Sequence, residues 1–278
     1  MTDEKTTITI RQSGASQSTN GFDVRDRGLL LADGVFDTSL VVGGVIAFRE
    51  LHFDRLVRDC EALGIKANRT EIESISEETI PDGKDGALRI TVTRGPGTRG
   101  LAIPDDDAEP TLIARFDEKP CSYPAPAISL RSSGILRNPS APSSRHKTLA
   151  YTDTIIGLDR ARKAGFDDAL YMTPDGHAAC TSMANIFARF GTTLVTPPLS
   201  DGVLDGVMRR WLIEAAPGAG FDVDITSLNI ASLARADALY TTNSLQLIRS
   251  AKQLDQIPLD PALPPALDAL CKHVLSPG

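Results

Sequence analysis

Three prolines within seven residues constrain this chain more than any other feature. Pro120, Pro124 and Pro126 fall in Asp117-Glu118-Lys119-Pro120-Cys121-Ser122-Tyr123-Pro124-Ala125-Pro126. Proline has no amide hydrogen to give to a helix or a central strand, so the stretch reads as a linker over 119–126. It separates a small N-terminal domain, 1–118, from a larger C-terminal one, 127–278. With 41% hydrophobic and 23% charged residues, both parts have ordinary globular composition and can each build a core.

The first part mixes helix and strand. Leu40-Val41-Val42-Gly43-Gly44-Val45-Ile46-Ala47-Phe48 predicts two strands around a Gly-Gly turn. Leu51, Leu56, Val57, Cys60 and Leu63 recur near the helical period, and Gly64 supplies the stop. Leu88 to Arg94 and Thr111 to Phe116 read as further strands. In the second part, Ala127 to Leu130 is a strand and Asp153 to Ala164 a helix closed by Gly165. Ala169 to Met172, the turn Pro174-Asp175-Gly176 and Ile186 to Phe190 form a meander. Gly206 to Ala216 reads as a helix ended by Pro217, and Pro265 opens a last helix. The fold class is α+β, in two α/β domains.

Charge and cysteine usage narrow the function. A formal net charge of −7 argues against a nucleic-acid binder. No apolar run approaches the roughly 20 residues of a membrane helix. The opening Met1-Thr2-Asp3-Glu4-Lys5 leads into no signal-peptide core. Cys60, Cys121, Cys180 and Cys271 lie far apart, as do the four histidines, so no disulfide framework or metal site is expected. These features imply a reducing, cytoplasmic setting.

Gly95-Pro96-Gly97-Thr98-Arg99-Gly100 follows a strand and fits the dinucleotide pattern. That site also needs a helix beginning at the third glycine, and Leu101-Ala102-Ile103-Pro104-Asp105-Asp106-Asp107 cannot supply one. The glycines instead shape a loop that presents Arg94 and Arg99.

Several segments together resemble one family. Asp26-Arg27-Gly28 through Gly34-Val35-Phe36-Asp37-Thr38 is similar to the D-R-G…G-D-G-x-F-E-T opening of the class IV aminotransferases, fold type IV of the pyridoxal phosphate enzymes. His52-Phe53-Asp54-Arg55-Leu56 resembles their H-x-x-R-L helix, and Asn185-Ile186-Phe187 their S-N-[IL]-F strand. Thr196-Pro197-Pro198-Leu199 and Leu204-Asp205-Gly206-Val207-Met208-Arg209 are similar to T-P-P-L and L-P-G-I-T-R. The resemblance implies a small N-terminal α/β domain and a larger one built on a β-barrel-like sheet. It implies that Lys147 is the Schiff-base lysine and proton-shuttling base. Arg55 would pair with the cofactor phosphate, joined by the backbone of Val207 and Met208 and the hydroxyl of Ser244, with Leu245 beside it. Tyr151 would face the ring's phenolic oxygen, and Cys180, Thr181 and Ser182 would also meet the cofactor. Phe36, Arg94 and Arg99 would meet the substrate.

One position departs from the family. Where it has a glutamate that keeps the pyridine nitrogen protonated, this chain has Cys180, a neutral thiol. The resemblance carries two reactions. Transamination between a branched-chain or D-amino acid and a 2-oxo acid is the commoner family activity and the first reading. Elimination of pyruvate from 4-amino-4-deoxychorismate, leaving 4-aminobenzoate, is the alternative. It is supported by Arg94-Gly95-Pro96-Gly97-Thr98-Arg99-Gly100, which resembles the lyases' R-G-x-G-x-R-G, and by Asn243-Ser244-Leu245. A cofactor-binding protein with little catalysis is a third reading, resting on Cys180 alone. The family also implies a homodimer.

Overall fold

The computed structural model describes residues 5–12, 22–103, 109–119 and 121–276. Pro104 to Asp107, which follow the third glycine of the Gly95 loop, and Pro120 of the linker lie outside the described residues. The chain divides into two compact units. One holds the described residues up to Cys121 together with His146–Ala150; the other holds Ser122–Arg145 and Tyr151–Ser276.

The first unit contains β1 (Thr6–Gln12), α1 (Arg27–Leu31), β2 (Gly34–Val42), β3 (Val45–Ile46), α2 (Arg49–Ala62), α3 (Arg69–Thr79), β4 (Gly86–Thr93) and β5 (Thr111–Glu118). Its strands form one antiparallel sheet in the order β1-β5-β4-β2-β3. The β2–β3 turn is made by Gly43 and Gly44, both with positive φ, as a two-residue hairpin of this twist requires. Strand alternation puts Leu88, Ile90 and Val92 of β4 opposite Phe116, Ala114 and Leu112 of β5. Phe53, Leu56 and Cys60 of α2 and Ile72 and Ile75 of α3 join them in a single core. The same register pairs Val35, Asp37 and Ser39 with Val92, Ile90 and Leu88. Asp37 is therefore a carboxylate on the core-facing side of a sheet.

The second unit contains β6 (Ile128–Ser132), α4 (Pro142–Arg145), α5 (Thr152–Lys163), β7 (Asp168–Met172), β8 (Ala178–Thr181), β9 (Asn185–Phe190), β10 (Thr193–Thr196), α6 (Val207–Ala215), β11 (Asp222–Ile225), α7 (Ile230–Leu233), β12 (Ala238–Asn243), β13 (Leu247–Leu254), β14 (Ile257–Pro258) and α8 (Pro265–Val274). Its mixed sheet runs β11-β10-β9-β12-β13-β6-β7-β8, with β14 on β13. Ile128, Leu130, Leu170, Ile186, Leu239 and Leu254 gather in its core.

Helix α6 ends before Pro217, which sits at the start of a 3-10 turn, Ala216–Ala219, where a missing amide costs nothing. One expectation changes. The segment around Lys147, expected within the C-terminal domain, clusters with the first unit. The cause is an open strand edge. β3 pairs only with Val41 and Val42, leaving the start of β2 free. There the Phe36 N–H donates to the Lys147 carbonyl (2.9 Å) and the Leu149 N–H to the Gly34 carbonyl (3.0 Å).

Candidate active site

In the first unit, Lys147 lies in an irregular segment held against β2, with Thr148 bridged to Val35. Its Nζ stands 4.4 Å from the centre of the Phe36 ring, which also receives the Arg89 guanidinium at 3.6 Å. Phe36 points to the opposite side of the sheet from Asp37 because adjacent strand residues alternate. The sequence-derived pair Phe36 and Lys147 is thus brought together.

Arg55 acquires a partner that sequence reading did not name. Its Nε donates to Asp37 Oδ2 (2.8 Å), and one Nη lies 2.7 Å from the same oxygen. His52 Nδ1 is 2.6 Å from Asp37 Oδ1, and its Nε2 is buried with no partner among the described residues. Burial by itself would raise the Asp37 carboxyl, but Arg55 and His52 outweigh it and bring the pKa down to about 2. A carboxyl depressed from 3.8 contributes about 2 kcal/mol of stability, present above pH ~4 and lost as pH falls toward 2. Thermal melting across pH 2–5 should show this loss in the parent and a flatter profile in Asp37→Asn. Equal slopes would overturn the assignment.

Asp33 organises the Gly95 loop. Its carboxylate accepts from Arg27 Nε (2.8 Å) and from Arg94 Nε (2.8 Å) and Nη2 (3.1 Å). These two arginines, against the opposing effect of burial, hold the carboxyl below its ordinary value. Arg94 also donates to the Leu63 and Gly64 carbonyls, at 2.7 and 2.8 Å. The expectation that the loop presents Arg94 to a substrate changes: the side chain is buried, and its four hydrogen bonds make it an internal clamp. Arg99 is exposed. Arg27 reaches the carbonyls of Gly100 (3.1 Å) and Leu101 (3.4 Å), so it ties the far end of this loop to α1. Gly95 has φ +88°, and a Cβ there would meet the Glu109 carbonyl oxygen at 2.0 Å. The glycine serves a close turn, not a nucleotide.

The D-R-G motif also has a local cause. Asp26, fully buried, accepts from the Gly28 amide and from the Thr93 and Thr111 hydroxyls, all at 2.8 Å. It caps α1 and pins that helix to β4 and β5.

In the second unit, several groups converge on Asn185. Its Nδ2 donates to the Leu204 carbonyl (2.9 Å), and it pairs across the sheet with Thr242. Gly206, the N-cap of α6, packs so closely that a Cβ would meet Asn185 Oδ1 at 2.0 Å. No side chain caps α6, and its first intrahelical bond runs from the Arg210 amide to the Gly206 carbonyl. The Val207 and Met208 N–H groups therefore precede the helical ladder. The Ser182 and Thr242 hydroxyls are buried without partners among the described residues. Uncapped amides, a helix N-terminus and orphaned hydroxyls fit an anionic phosphate. Ser182, Val207 and Met208 were legible as candidates; Thr242 was not, because nothing in Thr241-Thr242-Asn243 marks which hydroxyl points inward. Ser244 and Leu245 occupy the half-buried turn after β12, where Asn243 Oδ1 accepts the Leu245 amide (3.1 Å).

Cys180 and Thr181 end β8, both buried; Tyr151 is the half-buried N-cap of α5. Cys180 packs among Ala161, Ala169, Tyr171 and Val203. Burial pushes its thiol up, Arg137 pulls it down less, and Asp168 adds to the rise, so it stays neutral near pH 7. Among the described residues no cluster could hold a metal ion.

Lys147, seated at the β2 edge of the first unit, is an amine of the kind that forms Schiff bases, and the uncapped α6 N-terminus of the second unit suits an anion. The family model for class IV amino-transferases matches residues 34–254. The chain belongs to the class IV aminotransferases, fold type IV enzymes that work with pyridoxal phosphate. It is 29% identical over 246 residues to the aminodeoxychorismate lyase of Bacillus subtilis, covering 84% of this chain and 81% of that one. It is also 29% identical over 237 residues to a Methanocaldococcus jannaschii protein provisionally named branched-chain-amino-acid aminotransferase, covering 84% and 82%. The crystal structure of a Legionella pneumophila protein, provisionally named 4-amino-4-deoxychorismate lyase, superimposes with a TM-score of 0.82 at 29% identity, covering 93% and 97%.

Proposed function

We propose that this enzyme carries pyridoxal phosphate on Lys147 and that elimination is the reaction its residues serve best: release of pyruvate from 4-amino-4-deoxychorismate to leave 4-aminobenzoate. The observation that carries this reading is Cys180, buried and neutral where the family places a carboxylate. When bound, the cofactor supplies an electron sink for the carbon bearing the substrate amine. A thiol cannot hold the ring nitrogen protonated, so this chain contributes little to that sink. Elimination that ends in an aromatic ring draws its driving force from the substrate, whereas reversible amino transfer depends on the sink. Lys147 Nζ would take the proton from the carbon bearing the amine, the C–O bond on the neighbouring carbon would break, and the enolpyruvate released would gain one proton at its methylene carbon to become pyruvate. Arg55, the Val207 and Met208 amides and the Ser182, Thr242 and Ser244 hydroxyls bind the phosphate. Thr181, Leu245 and Tyr151 would complete the cofactor's contacts, with Tyr151 toward its phenolic oxygen.

Transamination of branched-chain or D-amino acids is the second reading, favoured by the relative from M. jannaschii. Purified enzyme is mixed with 4-amino-4-deoxychorismate and, separately, with L- and D-amino acids plus 2-oxoglutarate or pyruvate. We expect 4-aminobenzoate and pyruvate. Amino transfer outpacing their release would overturn the elimination reading.

Arg99, exposed on its clamped loop, meets the substrate carboxylate. Arg99→Ala should raise KM about tenfold with kcat nearly unchanged and cofactor affinity intact. An equal fall in cofactor affinity would remove Arg99 from this role.

The enzyme acts as a cytoplasmic homodimer. No described helix is long and apolar enough to cross a membrane. Leu29 and Leu30 of α1 and Leu101 and Ile103 of the tethered loop are between 61% and 83% exposed, apolar side chains that a partner subunit would cover. A sedimentation mass near 29.7 kDa, one chain, would refute the dimer.

A further inference from the structure

Helix α2 does more than anchor Arg55. Asp59 lies one turn beyond Arg55 and two beyond His52, on the same helix face. It is 2% exposed, and its two oxygens serve consecutive residues of one segment. Oδ1 is 2.9 Å from His146 Nδ1, and Oδ2 accepts the Lys147 amide at 3.0 Å. The Lys147 carbonyl is taken by the Phe36 amide. Both ends of the lysine's main-chain unit are therefore held, one by the sheet edge and the other by a single side chain. The segment has no helix or strand of its own to hold it, since only Thr148 forms a bridge. A buried carboxylate with a ring nitrogen on one oxygen and an amide on the other has one stable placement.

We propose that Asp59 and His146 are positioning residues for Lys147: one carboxylate staples His146 and the Lys147 main chain to α2 and so directs Nζ over the Phe36 ring. His146 is the second arm of the staple, fixing the carboxylate plane so that Oδ2 meets the lysine amide. This rests on the reading of Lys147 as the cofactor-bearing residue, and the test keeps the two apart.

Two readouts are made on the apoprotein for Asp59→Ala, Asp59→Asn, His146→Ala and the double variants. The first is the rate at which added pyridoxal phosphate becomes fixed to Lys147 by borohydride, followed by peptide mass spectrometry. The second needs no cofactor: trace acetic anhydride labelling of Lys147 relative to Lys163 and Lys272, whose side chains are 75% and 65% exposed. We expect Asp59→Ala to slow fixation at least tenfold and to change the relative labelling of Lys147 severalfold. His146→Ala should have a smaller effect, and adding it to Asp59→Ala should change nothing further, because the staple is already open. Asp59→Asn, which keeps one acceptor, should fall between; it replaces Asp59→Ala in the cycle if the alanine variant does not fold. Lower melting temperatures with unchanged fixation and labelling would make Asp59 merely structural and overturn the proposal, as would additive effects of the two changes. A parent protein that fixes no cofactor on Lys147 would refute the cofactor assignment, while the labelling ratios would still decide the positioning role.

Discussion

Lys147→Ala is expected to abolish the visible absorption of the bound cofactor and its fixation to protein by borohydride. The substitution removes the amine that the β2 edge seats, which on the proposed reading both carries the cofactor and moves the substrate proton. General-base loss alone lowers rates by about 10²–10⁴-fold, and loss of the covalent link adds to it. The fold should survive, because the bonds that seat residue 147 come from its main chain, to Asp59 and Phe36. The side-chain losses include the contact with the Phe36 ring, worth roughly 0.5–1 kcal/mol, and the charge that Lys147 places near Asp37. Melting temperature, absorbance and peptide mass are measured on one preparation. Reduced cofactor found on a different lysine would show the assignment to be wrong.

Cys180→Glu tests whether the neutral thiol at this position limits amino transfer. A carboxylate at this position should keep the ring nitrogen protonated, and a charged hydrogen bond of roughly 1.5–3 kcal/mol corresponds to about a 10–100-fold faster amino-transfer half-reaction. The site can accept the charge because Arg137 lies close enough to act on residue 180, although Asp168 opposes it. Glutamate is larger than cysteine, and the cluster of Ala161, Ala169, Tyr171 and Val203 is tight, so packing strain of about 1–3 kcal/mol offsets part of the gain. The readout is the single-turnover change in cofactor absorbance with an amino acid donor, at matched cofactor occupancy. A folded, fully loaded variant that reacts no faster would clear Cys180 of limiting the chemistry.

Arg55 shows how structure redirects such tests. Arg55→Ala removes the partner of a buried carboxylate, Asp37, and a loss of this kind costs about 3–5 kcal/mol. Weaker cofactor binding by that variant would mix a lost phosphate contact with damage to the fold.

Much of this protein is determined by local pattern. The Gly43-Gly44 hairpin, the α2 periodicity ending at Gly64, the Pro265 helix and the linker prolines each act through a few neighbouring residues. Backbone sterics and side-chain alternation decide them wherever they occur. The family motifs likewise locate Lys147, Arg55 and the α6 N-terminus. What only the tertiary structure decided is pairing at a distance. β1 pairs with β5 along its whole length, although the two lie about a hundred residues apart in the chain. Arg94 and Arg99 sit in one motif, yet Asp33, Leu63 and Gly64 draw the first inward and leave the second outside. Lys147 follows a proline linker in sequence but belongs to the first unit, because the β2 edge and the buried Asp59 carboxylate both take their partners from its segment. A buried charge or an open strand edge must find a partner wherever the chain can bring one, and sequence separation is no guide to which residue that will be.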